Sequence, residues 1–140
     1  MPSSTLIVLG LVLSLLAPLA RAEIVVIVNA QSPVSRLEKN QVSDLFLGKV
    51  ATFPDGSQAV PLDQDNNSGL HSEFHDKVTG KSLSQLRAYW SRLVFTGKAT
   101  PPREIPDSGQ LRTLIATNPN MIGYIDKGAV DTRVKVVYSP

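Results

Sequence analysis

The sequence has 140 residues, 14 Lys and Arg against 12 Asp and Glu, and no cysteine. Such a near balance of charge argues against a nucleic-acid partner or a polybasic membrane surface. Without cysteine there is neither a disulfide framework nor a thiolate metal site.

From the amino terminus, Leu6 to Leu16 is an almost unbroken apolar run, followed by Pro18 and then Ala20-Arg21-Ala22. This pattern predicts a secretory signal cleaved after Ala22, although no Lys or Arg precedes the apolar run. The run is too short for a comfortable membrane span. No cysteine follows it, so a lipoprotein anchor is not expected, nor is any membrane contact after cleavage. The expected mature domain, Glu23–Pro140, holds 118 of the 140 residues, enough for one core. Loss of Arg21 would leave 13 basic residues against 12 acidic ones. A cysteine-free exported chain suits the periplasm.

Glu23 to Asn29 is rich in β-branched residues and apolar on both faces, which predicts a buried central strand. Gln31 to Ser35 makes the exit loop, and Leu37, Val42, Leu45 and Phe46 mark a helix that stops at Gly48. Phe53-Pro54-Asp55-Gly56 is a turn leading into a strand at Ala59 to Leu62, and Asp63 to Ser68 reads as a polar turn. Gly69 opens a helix with Leu70, Phe74 and Val78 at a spacing of four, ended by Gly80. Ser82 and Gln85 form a capping box for a helix carrying Leu83, Leu86, Tyr89, Trp90, Leu93 and Val94 on one stripe. That stripe is expected to pack on the sheet, with Trp90 as a core anchor. Thr100-Pro101-Pro102 predicts a stiff surface loop. A second capping box, Asp107 with Gln110, precedes Leu111, Leu114 and Ile115, and Asn118-Pro119 closes that helix. Met121 to Ile125 and Val134 to Tyr138 complete the strands, the last one at an edge. Strands interleaved with helices predict a single α/β domain with a mixed sheet.

Val60 to Asp76 carries the candidate site, because a strand passes there to a helix through a polar Ser-Gly turn. The free N–H groups and dipole of a helix start favour an anion, and the Ser68 hydroxyl adds a donor. Turn chemistry alone favours a plainer reading, in which Asp63, Asp65, Asn66, Asn67 and Ser68 are turn and N-cap residues that satisfy backbone groups locally. His71 and His75, four apart on one helical face, form a zinc or copper pair without a visible third ligand, so solvated surface histidines are expected. Glu73 lies between them at the wrong spacing for a metalloprotease helix. The alternation of Asp63, Asp65 and Asn67 is not a calcium loop, since Ser68 stands where glycine is needed and Phe74 where glutamate is needed. Asp126, Asp131 and Glu104 read as solvated loop acids. No nucleophilic triad order, P-loop, dinucleotide fingerprint or cofactor motif appears, and no enzyme is expected.

Four stretches together carry a family likeness: Val25 to Asn29 with Pro33-Val34, Gln41 to Lys49, Ser68-Gly69 followed by Phe74, and Met121 to Ile125. Between them Ala88 to Trp90, Phe95 to Lys98 and Pro101-Pro102 follow in the same order. The chain so resembles a short, single-domain branch of the phosphate-binding-protein-like superfamily, the substrate-binding receptors of phosphate ABC transporters. The resemblance implies an α/β lobe like one domain of a type II periplasmic binding protein, active in transport by binding. In full receptors the lobe supplies an arginine and a Ser-Gly-Thr turn to hold phosphate. Ser68 and Gly69 match the turn, whereas Leu70 replaces the threonine and Gln64 the arginine. A neutral amide in place of a guanidinium forfeits a charge-assisted grip of about 1.5–3 kcal/mol.

The implied function is a non-enzymatic periplasmic domain that binds phosphate or a related oxyanion weakly through Ser68, the Gly69 and Leu70 N–H groups, Gln64 and Asn67. Arg36, Arg87 and Arg103 are further sources of positive charge. The alternative is an envelope protein-protein interaction module that keeps the receptor-lobe fold without ligand binding. Self-association of two copies would rebuild a cleft from single lobes.

Overall fold

Ile24–Asn29 forms strand β1, and all six residues are buried, as its double-sided apolar pattern requires. The computed structural model describes residues 23–140, so the expected signal peptide, residues 1–22, lies outside the described residues. Around β1 a five-stranded sheet is built with β2 (Val60–Gln64), β3 (Arg103–Ile105), β4 (Met121–Asp126) and β5 (Val134–Tyr138), in the order β3-β2-β4-β1-β5. β1 runs antiparallel to β4 and β5, whereas β2 runs parallel to β3 and β4. The sheet is mixed, as expected, and β5 lies at an edge.

Helices cover both faces. On one, Val26, Val28, Ile122 and Tyr124 meet Val42, Leu45 and Phe46 of α1 (Lys39–Phe46) and Phe74 of α2 (Gly69–Phe74). α2 runs directly into a π-helical turn, His75–Thr79, whose Val78 joins the same core. On the other, Val25, Ile27, Leu62, Ile105 and Ile125 meet Leu111 and Ile115 of α4 (Ser108–Thr117). Gly123 of β4 permits this second packing, since a Cβ there would lie 2.4 Å from Leu111 Cδ2 and 3.0 Å from Ile115 Cδ1. No helix among the described residues is long and apolar enough to cross a membrane.

Several expectations are corrected. β2 continues through Asp63 and Gln64, which are buried strand residues rather than part of a turn. β3 forms directly after the proline pair, placing Glu104 on a strand, because three residues suffice to pair in parallel with Leu62, Asp63 and Gln64. α3 (Leu83–Phe95) does not bury its stripe on the sheet: only Leu86 is buried, and Phe95 is 92% exposed. The Tyr89 hydroxyl donates to the Leu47 carbonyl at 2.6 Å, and the half-buried Trp90 packs over Gly48. These two aromatics thus fasten α3 to the turn after α1. The Ser82 capping box forms in full, whereas Gln110 donates its side-chain amide to the Asp107 carboxylate instead of closing the second box on the backbone.

Candidate functional site

The strand-to-helix passage is held by side chains that turn inward. Ser68 is the N-cap of α2, accepting the Leu70 N–H at 3.2 Å, and its hydroxyl donates to Gln64 Oε1 at 3.1 Å. The Gln64 amide donates in turn to Ser108 Oγ and the Tyr124 carbonyl, both at 3.0 Å. Gln64 is 1% exposed and both its N–H groups are engaged, so it braces Ser68 instead of presenting a donor to a ligand. Leu70 is half-buried, its N–H already capped. Asn67 is exposed, its side chain has no hydrogen-bond partner among the described residues, and its own N–H is donated to Asp65 Oδ1 at 2.9 Å. Gly69 is exposed and its N–H has no protein acceptor among the described residues. The turn-and-cap reading therefore holds for Asp65 and Ser68. It fails for Asp63.

Asp63 lies one residue before the brace, on the face of β2 that α2 covers, and it is 6% exposed. Its Oδ1 accepts from the Tyr124 hydroxyl and from the Gln64 N–H at 2.9 Å. Its Oδ2 faces both histidines, 2.9 Å from His75 Nε2 and 3.8 Å from His71 Nε2. Both histidines are buried, at 4% and 1% exposure, so the expectation of solvated surface histidines is overturned. The physical reason is the helical stripe His71, Phe74, His75 and Val78, spaced i, i+3, i+4 and i+7, which turns both imidazoles inward with the core residues. The expected stripe of Leu70, Phe74 and Val78 does face this core, and the two histidines extend it on one side. Phe74 stacks on Tyr124 with ring centres 3.9 Å apart, and the two imidazoles lie 4.6 Å apart. His75 Nδ1 is 3.0 Å from Thr79 Oγ1, whose hydroxyl donates to the His75 carbonyl.

Asp63 and His71 open on a groove of about 360 Å³ walled by Leu83, Leu86, Trp90 and Val94 of α3 and by Pro101 and Pro102, with Arg87 and Glu104 also lining it. Of the three arginines singled out in the sequence, only Arg87 lines this groove. Arg36 pairs with Glu38 at 3.5 Å and Arg103 lies on β3. Burial, then the Asp63 charge, pushes the Tyr124 phenol far above its ordinary value, so it acts as a hydrogen-bond donor throughout the working range. Burial also holds the His71 imidazole below its ordinary value, opposed by Asp63. Glu104 is exposed on β3, and its carboxyl is pushed up by partial desolvation and by the neighbouring charges of Asp63 and Asp65. The site is an acid flanked by two imidazoles, backed by a phenol and opening on an apolar groove.

Solved structures share this architecture. A structure described as a phosphate ABC transporter substrate-binding protein with bound phosphate from Clostridium perfringens aligns with 82% of the chain at 24% identity and a TM-score of 0.67. An ABC-type phosphate transport receptor from Vibrio cholerae aligns over 82% at 18% identity with a TM-score of 0.64. PstS from Borrelia burgdorferi aligns over 82% at 12% identity with a TM-score of 0.61. The chain spans 44%, 45% and 46% of their respective lengths, under half of each. No protein-family model matches the sequence, and no curated protein matches it. The likeness is one of fold: the described residues form one lobe of the phosphate-binding-protein-like type, with the α/β mixed sheet expected from sequence.

Proposed function

We propose that the chain is an exported, non-enzymatic binding lobe that takes phosphate or a related oxyanion weakly at the turn between β2 and α2. The observation that carries this reading is the uncommitted Gly69 N–H at the start of α2, held in place by the Ser68 cap and the Gln64 brace. The exposed Asn67 amide is the second donor within the turn. Asp63 and Asp65 beside the turn oppose an anion, and Gln64 provides no positive charge, so affinity is low. Gly69 and Asn67 are the direct contacts, with Ser68, Leu70 and Gln64 shaping them.

Thermal unfolding in phosphate, sulfate, nitrate and carboxylates at constant ionic strength tests this. A ligand that binds only the folded state stabilises it by about 2.7 kcal/mol at a hundredfold excess over its dissociation constant, a shift of several degrees. Phosphate is expected to raise the midpoint, and Ser68→Ala or Gly69→Pro to remove the rise. An equal rise in those variants would refute the turn as the binding site.

A second reading, an envelope interaction module, is favoured by one observation: Val94, which lines the apolar groove, and its chain neighbour Phe95 are 51% and 92% exposed. Substitution Phe95→Asp is then expected to leave stability within about 0.5 kcal/mol while abolishing crosslinks to an envelope partner in intact cells. Crosslinks unchanged by Phe95→Asp, or none at all in cells where the protein is abundant, would count against it.

A further inference from the structure

We propose that Asp63, His71 and His75 form a binding site for a divalent transition-metal ion of the zinc class. All three side chains are buried, and one ligand atom from each lies within 4.8 Å of the others. Zinc bonds of about 2.0–2.2 Å arranged tetrahedrally set ligand atoms about 3.3 Å apart. The two separations from Asp63 Oδ2, 2.9 Å and 3.8 Å, bracket that value. Small side-chain rotations bring the three donors onto one centre.

The surrounding hydrogen bonds assign a role to each atom. The Tyr124 hydroxyl and the Gln64 N–H occupy Asp63 Oδ1, which leaves Oδ2 as the ligand atom. Thr79 Oγ1, whose proton goes to the His75 carbonyl, is placed to accept from Nδ1–H of His75. In that tautomer His75 Nε2 turns a lone pair toward Asp63 Oδ2 at 2.9 Å, the arrangement that a metal ion shared with His71 uses. A histidine fixed through its far nitrogen by a neighbouring acceptor is the usual support of a metal-ligating imidazole. Two histidines and a carboxylate suit zinc, and also cobalt, nickel or copper, over magnesium and calcium, which prefer all-oxygen sets. Asp63 and His71 both line the groove, so a fourth coordination position opens toward it. This inference does not depend on oxyanion binding at the turn.

The test uses the purified protein stripped with a chelator and dialysed. Cobalt(II) is titrated as a visible probe, and zinc binding is followed by calorimetry and thermal unfolding. The expected result is one ion per chain, a cobalt absorption of low-coordinate type displaced by zinc, and a midpoint raised by zinc. His71→Ala removes a ligand and is expected to weaken zinc by more than about 100-fold, and Thr79→Val, which removes only the acceptor for Nδ1–H, by about 10–100-fold. Should His71→Ala not fold, the cobalt spectrum of the unaltered protein and the Thr79→Val affinity decide. No saturable uptake at millimolar zinc, a cobalt spectrum identical to the hydrated ion, or affinities unchanged in both variants would overturn the assignment.

Discussion

Tyr124→Phe isolates the hydrogen bond on which the buried carboxylate depends. The substitution keeps the ring that stacks on Phe74 at 3.9 Å and leaves no cavity larger than the missing oxygen. What it removes is the donor to Asp63 Oδ1, together with a 3.2 Å contact accepted from the Gln64 N–H. The Gln64 N–H retains Asp63 Oδ1 at 2.9 Å, so only the carboxylate loses a partner. A hydrogen bond to a charged group contributes about 1.5–3 kcal/mol. For a domain of this size each kcal/mol corresponds to roughly 3–6 °C, so a fall in midpoint of about 5–18 °C is expected. Urea unfolding of both proteins with a common slope measures the difference directly. A variant within about 0.5 kcal/mol of the parent would show that the phenol does not hold the carboxylate. The roles assigned above to Oδ1 and Oδ2 would then lose their basis.

Two further predictions concern the scaffold. Gly123→Ala pushes a methyl against Leu111 and Ile115 and is expected to destabilise by about 1–3 kcal/mol; in denaturation, adding Leu111→Ala must cost less in that background than alone, and strict additivity would refute the clash. The Asp107 carboxyl is held below its ordinary value of 3.8, chiefly by the Gln110 N–H it accepts at the start of α4. Its contribution to stability is therefore present above the unfolded value and lost as pH falls through the lower folded value, so Asp107→Asn should flatten the acid limb of a stability profile below about pH 4.

The scaffold was legible in sequence because its signals are local. A β-branched run marked β1, the Ser82 box marked the start of α3, and Gly80 closed the helical segment with φ of 70°. β3 escaped because three residues after a proline pair carry no periodicity, and its pairing with β2 is a long-range fact. α3 was misjudged because an amphipathic stripe states that a face is apolar without stating what lies opposite. The site was half legible: Ser68 was read correctly as a cap, and the spacing of His71 and His75 placed both on one face. Their third neighbour was hidden in Asp63, a residue that composition assigns to a turn and the sheet register assigns to the buried end of β2. Gln64 entered the candidate set through the resemblance, as the residue standing in for an arginine, and only the placement of Ser108 and the Tyr124 carbonyl around it shows both its N–H groups engaged.

The π turn at His75–Thr79 makes chain length, as well as residue identity, a determinant of this centre. Its closing bond runs from the Gly80 N–H to the His75 carbonyl at 2.7 Å, across five residues where an α turn spans four. Deleting one residue between Asp76 and Thr79 would let the same N–H and carbonyl close an ordinary α turn, four residues apart instead of five, with the chain beyond kept in phase. Phe74 and both imidazoles would keep their places, while the threonine would stand three residues after His75 instead of four and its hydroxyl would leave Nδ1. A homologue shorter by one residue here would look nearly unchanged in an alignment and yet lack the support beneath its second histidine. Insertions and deletions at this turn, more than substitutions, are therefore the changes to watch for when the centre is traced through related chains.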